Sequence, residues 1–318
     1  MFKKGLLWLL VLVLVIMGSI SCAGNSTKTA VIKARPKASG QRVQHTVYPL
    51  KVTDFTGREV EIAKKPEKVV SLAPSNTEIL FAIDAGDEIV GVTDFDDYPP
   101  EAKNIDKVGG FKGANVEAIA SKKPDVVLAG TTVTKDEVQK IQSLGIPVVI
   151  TEAQSFNQIY DSISLIGKIV DKNEQASKLV AQMKSKVSEI SDKVKNSDKV
   201  RAYYAVQFGQ QNWTAGKGTF IDEIIAMAGG INVVSDVKGW AQYSMEKLVK
   251  DNPQVLLTSS HAGNVKDLSN MQGYKDLDAV KNGKIIVIDD NIILRPGPRI
   301  VQGLETVAKA LHPDAFKQ

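Results

Sequence analysis

Two segments of the sequence share one pattern, and that pattern restricts the fold. NVEAIASKKPDVVLA (115–129) and YSMEKLVKDNPQVLL (243–257) each carry a glutamate and an aliphatic residue two positions later. In both, a proline follows seven positions after the glutamate and precedes a Val/Leu run. Each pattern predicts a short helix, a turn and a buried strand. Because the two glutamates, Glu117 and Glu246, lie 129 residues apart, the chain is expected to contain two similarly built halves.

Strands alternate with helices around both segments. A hairpin is predicted over 48–66, followed by a buried strand at 68–74 and a helix at 75–86. Ser75 and Glu78 have the spacing of a capping box at the start of that helix, and Gly86 is expected to end it. Such alternation predicts an α/β fold in which parallel central sheets are flanked by helices.

The middle of the chain has a different pattern. Apolar residues at helical spacing predict one helix after residue 155 and a second over 174–195. The second contains no Gly or Pro and would be roughly 33 Å long, so it is expected to be one long rigid connector. The predicted domains are an N-terminal α/β lobe (47–154), a helical connector (155–198) and a C-terminal α/β lobe (199–318), with a ligand cleft between the lobes.

The N-terminus indicates export. Lys3 and Lys4 precede an apolar run at 6–17, which is shorter than the roughly 20 residues of a membrane span. Cys22, the only cysteine, follows small residues in an arrangement that resembles a lipoprotein signal. We therefore expect a signal peptide (1–21), a lipidated Cys22 and a flexible tether (22–46), with the protein on the outer face of the cell membrane. The alternative is an ordinary signal peptide with an incidental cysteine.

The distribution of charge excludes one class of partner. Seven of the 40 Lys and Arg residues lie in 1–50, where no Asp or Glu occurs. The remaining 33 basic groups face 36 acidic groups, so the folded part has a formal charge of −3. No bulk attraction to nucleic acid is expected.

Several ordered motifs carry a family resemblance. The segment VVSLAPSNTEILFAIDAGDEIVGVTDFDDYPPEAKNIDKVGGF, together with FIDEIIAMAGGINV, NPQVLL and RPGPRI, resembles periplasmic-type solute-binding proteins for cobalamin and ferric siderophores. The resemblance covers roughly 47–312 and implies a receptor of an ABC importer, with lobes joined by one rigid helix. DFDDYPPEA and VGGF are most similar to cobalamin receptors, whereas the hairpin is more usual in ferric-siderophore receptors, so the ligand stays open between cobalamin, a siderophore and haem.

The resemblance also gives the paired glutamates a role. Glu117 and Glu246 are expected to dock on the two subunits of a permease dimer that works with ATPase subunits. The alternative is that each only complements its helix dipole. Two other glutamates compete for this role, but Glu78 is better explained by the capping box and Glu223 by a solvated helix face.

Loops that follow strands are expected to line the cleft. The candidate ligand contacts are aromatic residues and one arginine: Tyr98, Phe111, Trp213, Trp240 and Arg295. Aromatic side chains bind flat apolar ligands by stacking, although each could instead pack under its own loop. Arg295 and Arg299 could contact anionic groups of a ligand, but they could also cap the ends of helices or sheets. Lys112 and Lys217 would suit an anionic catecholate complex, and as loop lysines are otherwise solvated.

Neither metal chemistry nor catalysis is indicated. His45, His261 and His312 are dispersed and predict no metal site, and we expect no resident cofactor. No hydrolase, zincin or nucleotide-loop motif occurs. The predicted function is an extracytoplasmic, monomeric substrate-binding lipoprotein of an ABC importer and not an enzyme. The alternatives are a surface-anchored sensor or scavenger, or an extracytoplasmic enzyme on the same scaffold.

Overall fold

The computed structural model describes residues 45–130, 132–209, 212–234 and 236–317. The predicted signal peptide, Cys22 and nearly all of the predicted tether lie outside these residues. The described residues belong to a compact unit that begins at Val43. In this part of the chain, no helix is both long enough and apolar enough to cross a bilayer.

The first lobe contains a hairpin, one six-stranded sheet and three helices. The hairpin strands β1 and β2 are antiparallel. The sheet order is β6-β5-β4-β3-β7-β8, and only the pair β5–β6 is antiparallel. The elements are β1 (Leu50–Thr53), β2 (Glu59–Ile62), β3 (Val69–Leu72), α1 (Pro74–Ala82), β4 (Ile89–Thr93), β5 (Lys107–Gly110), β6 (Gly113–Ala114), α2 (Val116–Lys122), β7 (Val126–Ala129), α3 (Lys135–Ser143) and β8 (Val148–Ile150), with 3-10 turns at Gly86–Glu88 and Pro100–Asn104.

Both faces of this sheet are covered. Along β7, Val126 and Leu128 belong to the apolar cluster that contains α1 and the connector, whereas Val127 and Ala129 pack with α2 and α3. Because successive strand residues point to opposite faces, a fully apolar strand requires helices on both sides. The parallel sheet predicted from the sequence is confirmed, apart from its antiparallel edge.

The second lobe repeats this plan with more antiparallel pairing. Its sheet order is β12-β10-β9-β13-β14, and β11 also pairs with β9. Strand β10 is antiparallel to both neighbours, and the other pairs are parallel. The elements are β9 (Val200–Gln207), β10 (Trp213–Ala215), α6 (Phe220–Met227), β11 (Gly230–Asn232), β12 (Trp240–Gln242), α7 (Met245–Asp251), β13 (Val255–Ser259), α8 (Asp278–Lys281), β14 (Ile285–Ile288), α9 (Asp290–Ile293) and α10 (Ile300–Leu311), with 3-10 turns at Val265–Ser269, Tyr274–Asp276 and Pro313–Phe316.

Two helices join the lobes. The first, α4 (Phe156–Ile169), packs on α1, and the second, α5 (Asn173–Val194), packs on α4, α6 and α10. A Cβ added at Gly167 of α4 would lie 2.4 Å from the Cβ of Ala176, so glycine permits the close approach of the two helices. One continuous apolar core runs from the hairpin through α5 to α10. The predicted long uninterrupted helix is therefore present and firmly packed.

The predicted capping box at α1 is wrong. The helix begins at Pro74, and its N-cap, Ala73, lies two residues before the expected Ser75 and makes no side-chain hydrogen bond. Proline suits the first helical position because its missing N–H has no partner there in any case. The helix ends at Ala82, and Asp84 then has a φ of 59°, so the stop does not occur at Gly86. Instead, a capping box forms at α3, between Thr134 and Glu137.

Candidate ligand-binding cleft

A cavity of about 390 Å³ lies where strand-end loops of the first lobe meet the second lobe. Its walls are formed by residues 72–75, 93, 95, 109–111, 113–114, 130, 132–133 and 152 of the first lobe and by residues 294–296 of the second. Because parallel strands end at one edge of a sheet, their following loops converge there. The cavity volume is in the range of small-molecule sites.

Two of the predicted ligand contacts line this cavity. Phe111 lies in the turn between β5 and β6 and is 95% exposed. Arg295 enters from the second lobe, just after α9. The cavity thus combines an unburied aromatic ring with a cationic side chain, and the contact of both with a ligand stays a prediction.

The other three predicted contacts lie outside the cavity walls. Tyr98 is partly exposed beneath the guanidinium of Arg299, at 4.0 Å from its ring centroid. Trp213 is in β10 and is also partly exposed. Trp240 is in β12, where its ring packs edge-on against Phe220 at 5.5 Å. Their contact with a ligand stays a prediction.

A cross-lobe ion cluster adjoins the cavity, and we define it as Glu78, Asp97, Arg295 and Arg299. Glu78 of α1 is buried and accepts hydrogen bonds from Arg299 Nε at 2.9 Å and Nη2 at 2.6 Å. Arg295 Nη1 donates to Glu78 Oε1 at 3.2 Å and to Asp97 Oδ1 at 2.7 Å. Both arginines belong to the second lobe and both acids to the first, so the cluster joins the lobes across the cleft.

The protonation of the cluster follows from these contacts. The hydrogen bond with Glu78 raises the pKa of Arg299. Partial burial alone would raise the pKa of Asp97, but the hydrogen bond and charge of Arg295 lower it. Arg299 and Asp97 are therefore both charged near neutral pH, and the contacts are ionic.

The loop after β4 supplies two of the three first-lobe partners of Arg295. Asp96 is buried, and its carboxylate accepts hydrogen bonds from the backbone N–H and the hydroxyl of Thr93. Burial raises the pKa of Asp96, against these hydrogen bonds. Its neighbour Phe95 offers a backbone carbonyl to Arg295 Nη2 at 3.1 Å. Asp96 thus anchors the loop that presents Phe95 and Asp97 to the second lobe.

A second set of cross-lobe contacts lies beside the connector. Glu223 Oε2 accepts a hydrogen bond of 2.7 Å from the backbone N–H of Phe156, at the start of α4. Trp240 Nε1 donates to Gln154 Oε1 at 3.4 Å. The predicted solvated face for Glu223 is therefore wrong, because its carboxylate satisfies an N–H group at the start of α4. The sequence shows Glu223 and Phe156 only as distant residues.

The two sequence units quoted at the start have matching local structures. Helices α2 and α7 each have seven residues, and the N-cap side chains of Asn115 and Ser244 accept from the third helical N–H. Each helix is followed by a residue in the left-handed region, φ 49° and 38°. Glu117 and Glu246 lie in the first turns and are exposed. Among the described residues, neither carboxylate has an ion-pair or hydrogen-bond partner.

The remaining candidate residues, three histidines and two lysines, lie apart from one another. His45 and His261 contact Asp171 and Asp290 respectively, and His312 is buried near the carbonyl of Gly229. Within the described ranges, no group of three or more metal-ligating side chains is assembled. Lys112 and Lys217 are exposed, and neither lines the cavity.

Comparison with known proteins identifies the family. A family model described as "Periplasmic binding protein" matches residues 69–292, which run from the start of β3 into α9 and include both lobes and the connector. The chain belongs to the periplasmic binding protein family. The fold expected from the sequence resemblance is thereby confirmed.

Individual members of the periplasmic binding protein family resemble the chain over most of its length. The uncharacterized ABC transporter substrate-binding lipoprotein YvrC of Bacillus subtilis is 34% identical over 325 residues, covering all of both chains. A cobalamin-binding protein of Halobacterium salinarum is 30% identical over 278 residues, 83% of this chain and 74% of that protein. The solved structure of a possible iron-binding, periplasmic solute-binding protein of Staphylococcus epidermidis is 33% identical, with a TM-score of 0.71, and covers 78% of this chain and 100% of its own.

Proposed function

We propose that this chain is the substrate-binding lipoprotein of an ABC importer, which captures a metal chelate outside the cell and delivers it to the permease. The observation that carries the proposal is a two-lobed periplasmic-binding-protein fold whose cavity is bounded by strand-end loops of one lobe and by Arg295 of the other. The relatives named as a cobalamin-binding protein and as a possible iron-binding protein support the ligand class: cobalamin, a ferric siderophore or haem.

The chain contributes binding, not turnover. Arg295 and Arg299 are engaged with Glu78 and Asp97 in the ion cluster next to the cavity, and the contact of the Thr93 hydroxyl with Asp96 anchors the loop after β4. Phe111 would supply contact area to a flat ligand, and Arg295 would supply a hydrogen-bond donor at the wall.

Delivery requires a docking surface, and the paired glutamates are our candidates. Glu117 and Glu246 occupy equivalent positions in the two lobes and are exposed, with no partner among the described residues. A carboxylate on each lobe complements a cationic site on each of two permease subunits. The anchor is Cys22, which we propose is lipidated after removal of residues 1–21, as the lipoprotein relative supports.

A titration tests the binding function. Purified protein is mixed with cyanocobalamin, a ferric trihydroxamate, a ferric catecholate and haem, and the fluorescence of Trp213 and Trp240 is followed. We expect saturable quenching by at least one chelate with a micromolar or tighter Kd. A flat response to all four would refute the proposed ligand class. Conversion of a bound chelate to a new product would favour the enzyme alternative instead.

A further inference from the structure

Acidic and basic side chains around the cavity differ in number, and this difference affects which chelate the cleft accepts. Within the described residues, the cavity walls carry only two charged side chains, Glu152 and Arg295. Within 45–318, the residues outside the described ranges are Thr131, Gln210, Gln211, Ser235 and Gln318, and none of these has a charged side chain. Among the described residues, the electrostatic character of the cleft is set by Glu152, Arg295 and the groups that contact the walls.

The positive charge of Arg295 is already neutralised. Its guanidinium donates to Glu78, to Asp97 and to the carbonyl of Phe95. Its side chain is only 16% exposed. An anionic ligand would have to compete for this guanidinium with Asp97, whose side chain is 44% exposed, so the ligand would gain the Arg295 contact only by replacing the Asp97 contact.

Two further carboxylates lie directly behind the glycine walls. A Cβ added at Gly110 would lie 2.0 Å from Asp94 Oδ2, and one added at Gly113 would lie 2.2 Å from Glu137 Oε1. Glu137 Oε1 also accepts a hydrogen bond of 2.7 Å from the backbone N–H of Ala114. Although partial burial opposes it, hydrogen bonds from Thr134 and Ala114 lower the pKa of Glu137, so this group is ionised at neutral pH.

The acidic groups outnumber the basic ones around the cavity even when Lys112 and Lys140 are included. The acids are Glu78, Asp94, Asp97, Glu137 and Glu152, and the bases are Lys112, Lys140, Arg295 and Arg299. Charges close to a cavity that excludes water interact more strongly than the same charges in bulk solvent. A like-charged ligand entering this cavity is therefore repelled and also loses its hydration.

From this arrangement we infer that the cleft selects neutral or cationic metal chelates and rejects polyanionic ones. The inference rests on the proposed function, since it assumes that a chelate binds here. Cobalamins and ferric trihydroxamates belong to the accepted class, because three hydroxamates balance the charge of a ferric ion. Ferric tris-catecholates, which carry a net triple negative charge, and haem, with its two propionates, belong to the rejected class. Asp97 is the specificity-determining residue, because it contacts Arg295, whose guanidinium is the only one that lines the cavity among the described residues.

The test is a comparison of neutral with anionic chelates, in one pair of similar size and in a second pair of different size. The Kd of a neutral ferric trihydroxamate and that of a ferric tris-catecholate are measured by tryptophan quenching, with cyanocobalamin and haem as the second pair. We expect the tightest neutral chelate to bind at least about 100-fold more tightly than either anionic one, with a ratio that shrinks as salt screens the repulsion. An anionic chelate that binds within about tenfold of the best neutral chelate would overturn the inference.

Two variants distinguish the effect of the charge beside Arg295 from the effect of the net charge of the protein. Asp97→Asn removes one carboxylate beside Arg295, whereas Glu101→Gln removes the same charge from an exposed site on the 3-10 turn that follows this loop. We expect Asp97→Asn to shift the neutral-to-anionic Kd ratio about tenfold toward the anionic chelate and Glu101→Gln to shift it less than twofold. Equal ratios in both variants and the parent would refute the role of Asp97. If no chelate of either charge binds, the proposed function itself has failed and the inference falls with it.

Discussion

Glu78 Oε1 and Arg299 Nη2 lie 2.6 Å apart, although they belong to different lobes and are separated by 221 residues in the chain. The Glu78 side chain is 1% exposed, so solvent does not screen the carboxylate of this ion pair. Removing one partner of a buried ion pair leaves the charge of the other uncompensated, which destabilises the protein.

Glu78→Gln should therefore destabilise the protein by about 3 kcal/mol. The variant keeps the shape of the side chain but removes the charge that compensates Arg295 and Arg299. Urea unfolding followed by circular dichroism gives the free energy of unfolding, and Glu101→Gln, at an exposed position, is the matched control. A loss of less than about 1 kcal/mol, the usual range for exposed ion pairs, would contradict the importance of the cluster.

The docking proposal predicts a loss of transport without a loss of binding. Glu117→Ala combined with Glu246→Ala should abolish chelate uptake by cells while the Kd of the purified protein stays within about twofold of the parent. Asp136→Ala with Asp278→Ala is the matched control, because these exposed acids also lie in first turns, of α3 and α8.

Two results would contradict the docking assignment. Uptake that falls equally in the control pair would indicate a general charge effect. Weaker ligand binding in the Glu117/Glu246 variant would place these residues in the ligand site instead.

Phe111 should matter for affinity but not for stability. Its ring is 95% exposed at the cavity wall, so Phe111→Ala removes contact area that only a bound ligand would cover. We expect a rise in Kd of about tenfold, equivalent to about 1.4 kcal/mol, and an unchanged melting temperature. Leu144→Ala, which truncates an exposed side chain after α3, should change neither quantity. A Phe111→Ala variant that binds as tightly as the parent would remove this residue from the site.

The hydrogen bonds of Asp54 predict how the free energy of unfolding depends on pH. Its buried carboxylate accepts hydrogen bonds from Thr56, Arg58 and the backbone N–H of Ile150. Burial alone would raise the pKa of Asp54, but these hydrogen bonds lower it. The folded pKa is therefore below the unfolded value of about 3.9. The stabilisation is present above pH 4 and is lost as the pH falls through the folded pKa.

Asp54→Asn should accordingly cost about 2 kcal/mol at pH 7, because charge-assisted hydrogen bonds are replaced by weaker ones. The difference from the parent should shrink as the pH falls below about 4. Urea unfolding between pH 3 and pH 7 measures both effects, and Asp87→Asn, at an exposed position, is the control. A difference that stays constant across this range would show that the charge of Asp54 makes no contribution.

Much of the architecture could be predicted because it depends on local patterns. The units around Glu117 and Glu246 repeat a glutamate, an aliphatic position and a proline, and both fold as a seven-residue helix, a left-handed residue and a buried strand. The helix over Asn173–Val194 follows from apolar spacing without Gly or Pro. Side-chain periodicity and backbone sterics act over a few residues, so they are visible in the sequence.

The same local reasoning failed at Glu78 and Glu223. Glu78 has the spacing of a capping box, but Pro74 moves the helix start and the carboxylate meets two arginines from the other lobe. Glu223 has the pattern of a solvated position, yet it accepts the N–H of Phe156. Among the candidate ligand contacts, Phe111 and Arg295 line the cavity, whereas no sequence pattern distinguishes them from Tyr98, Trp213 and Trp240.

The sequence by itself determined the two α/β halves, the rigid connector and the paired exposed glutamates, because each depends on spacing within one segment. The export signal stays a prediction. Only the tertiary structure decided that Glu78 and Asp97 neutralise Arg295 and Arg299 across the cleft. The reason is physical: hydrogen bonds and charge interactions act over a few ångströms in space, and the folding of two lobes around α5 brings together residues about 200 positions apart in the chain.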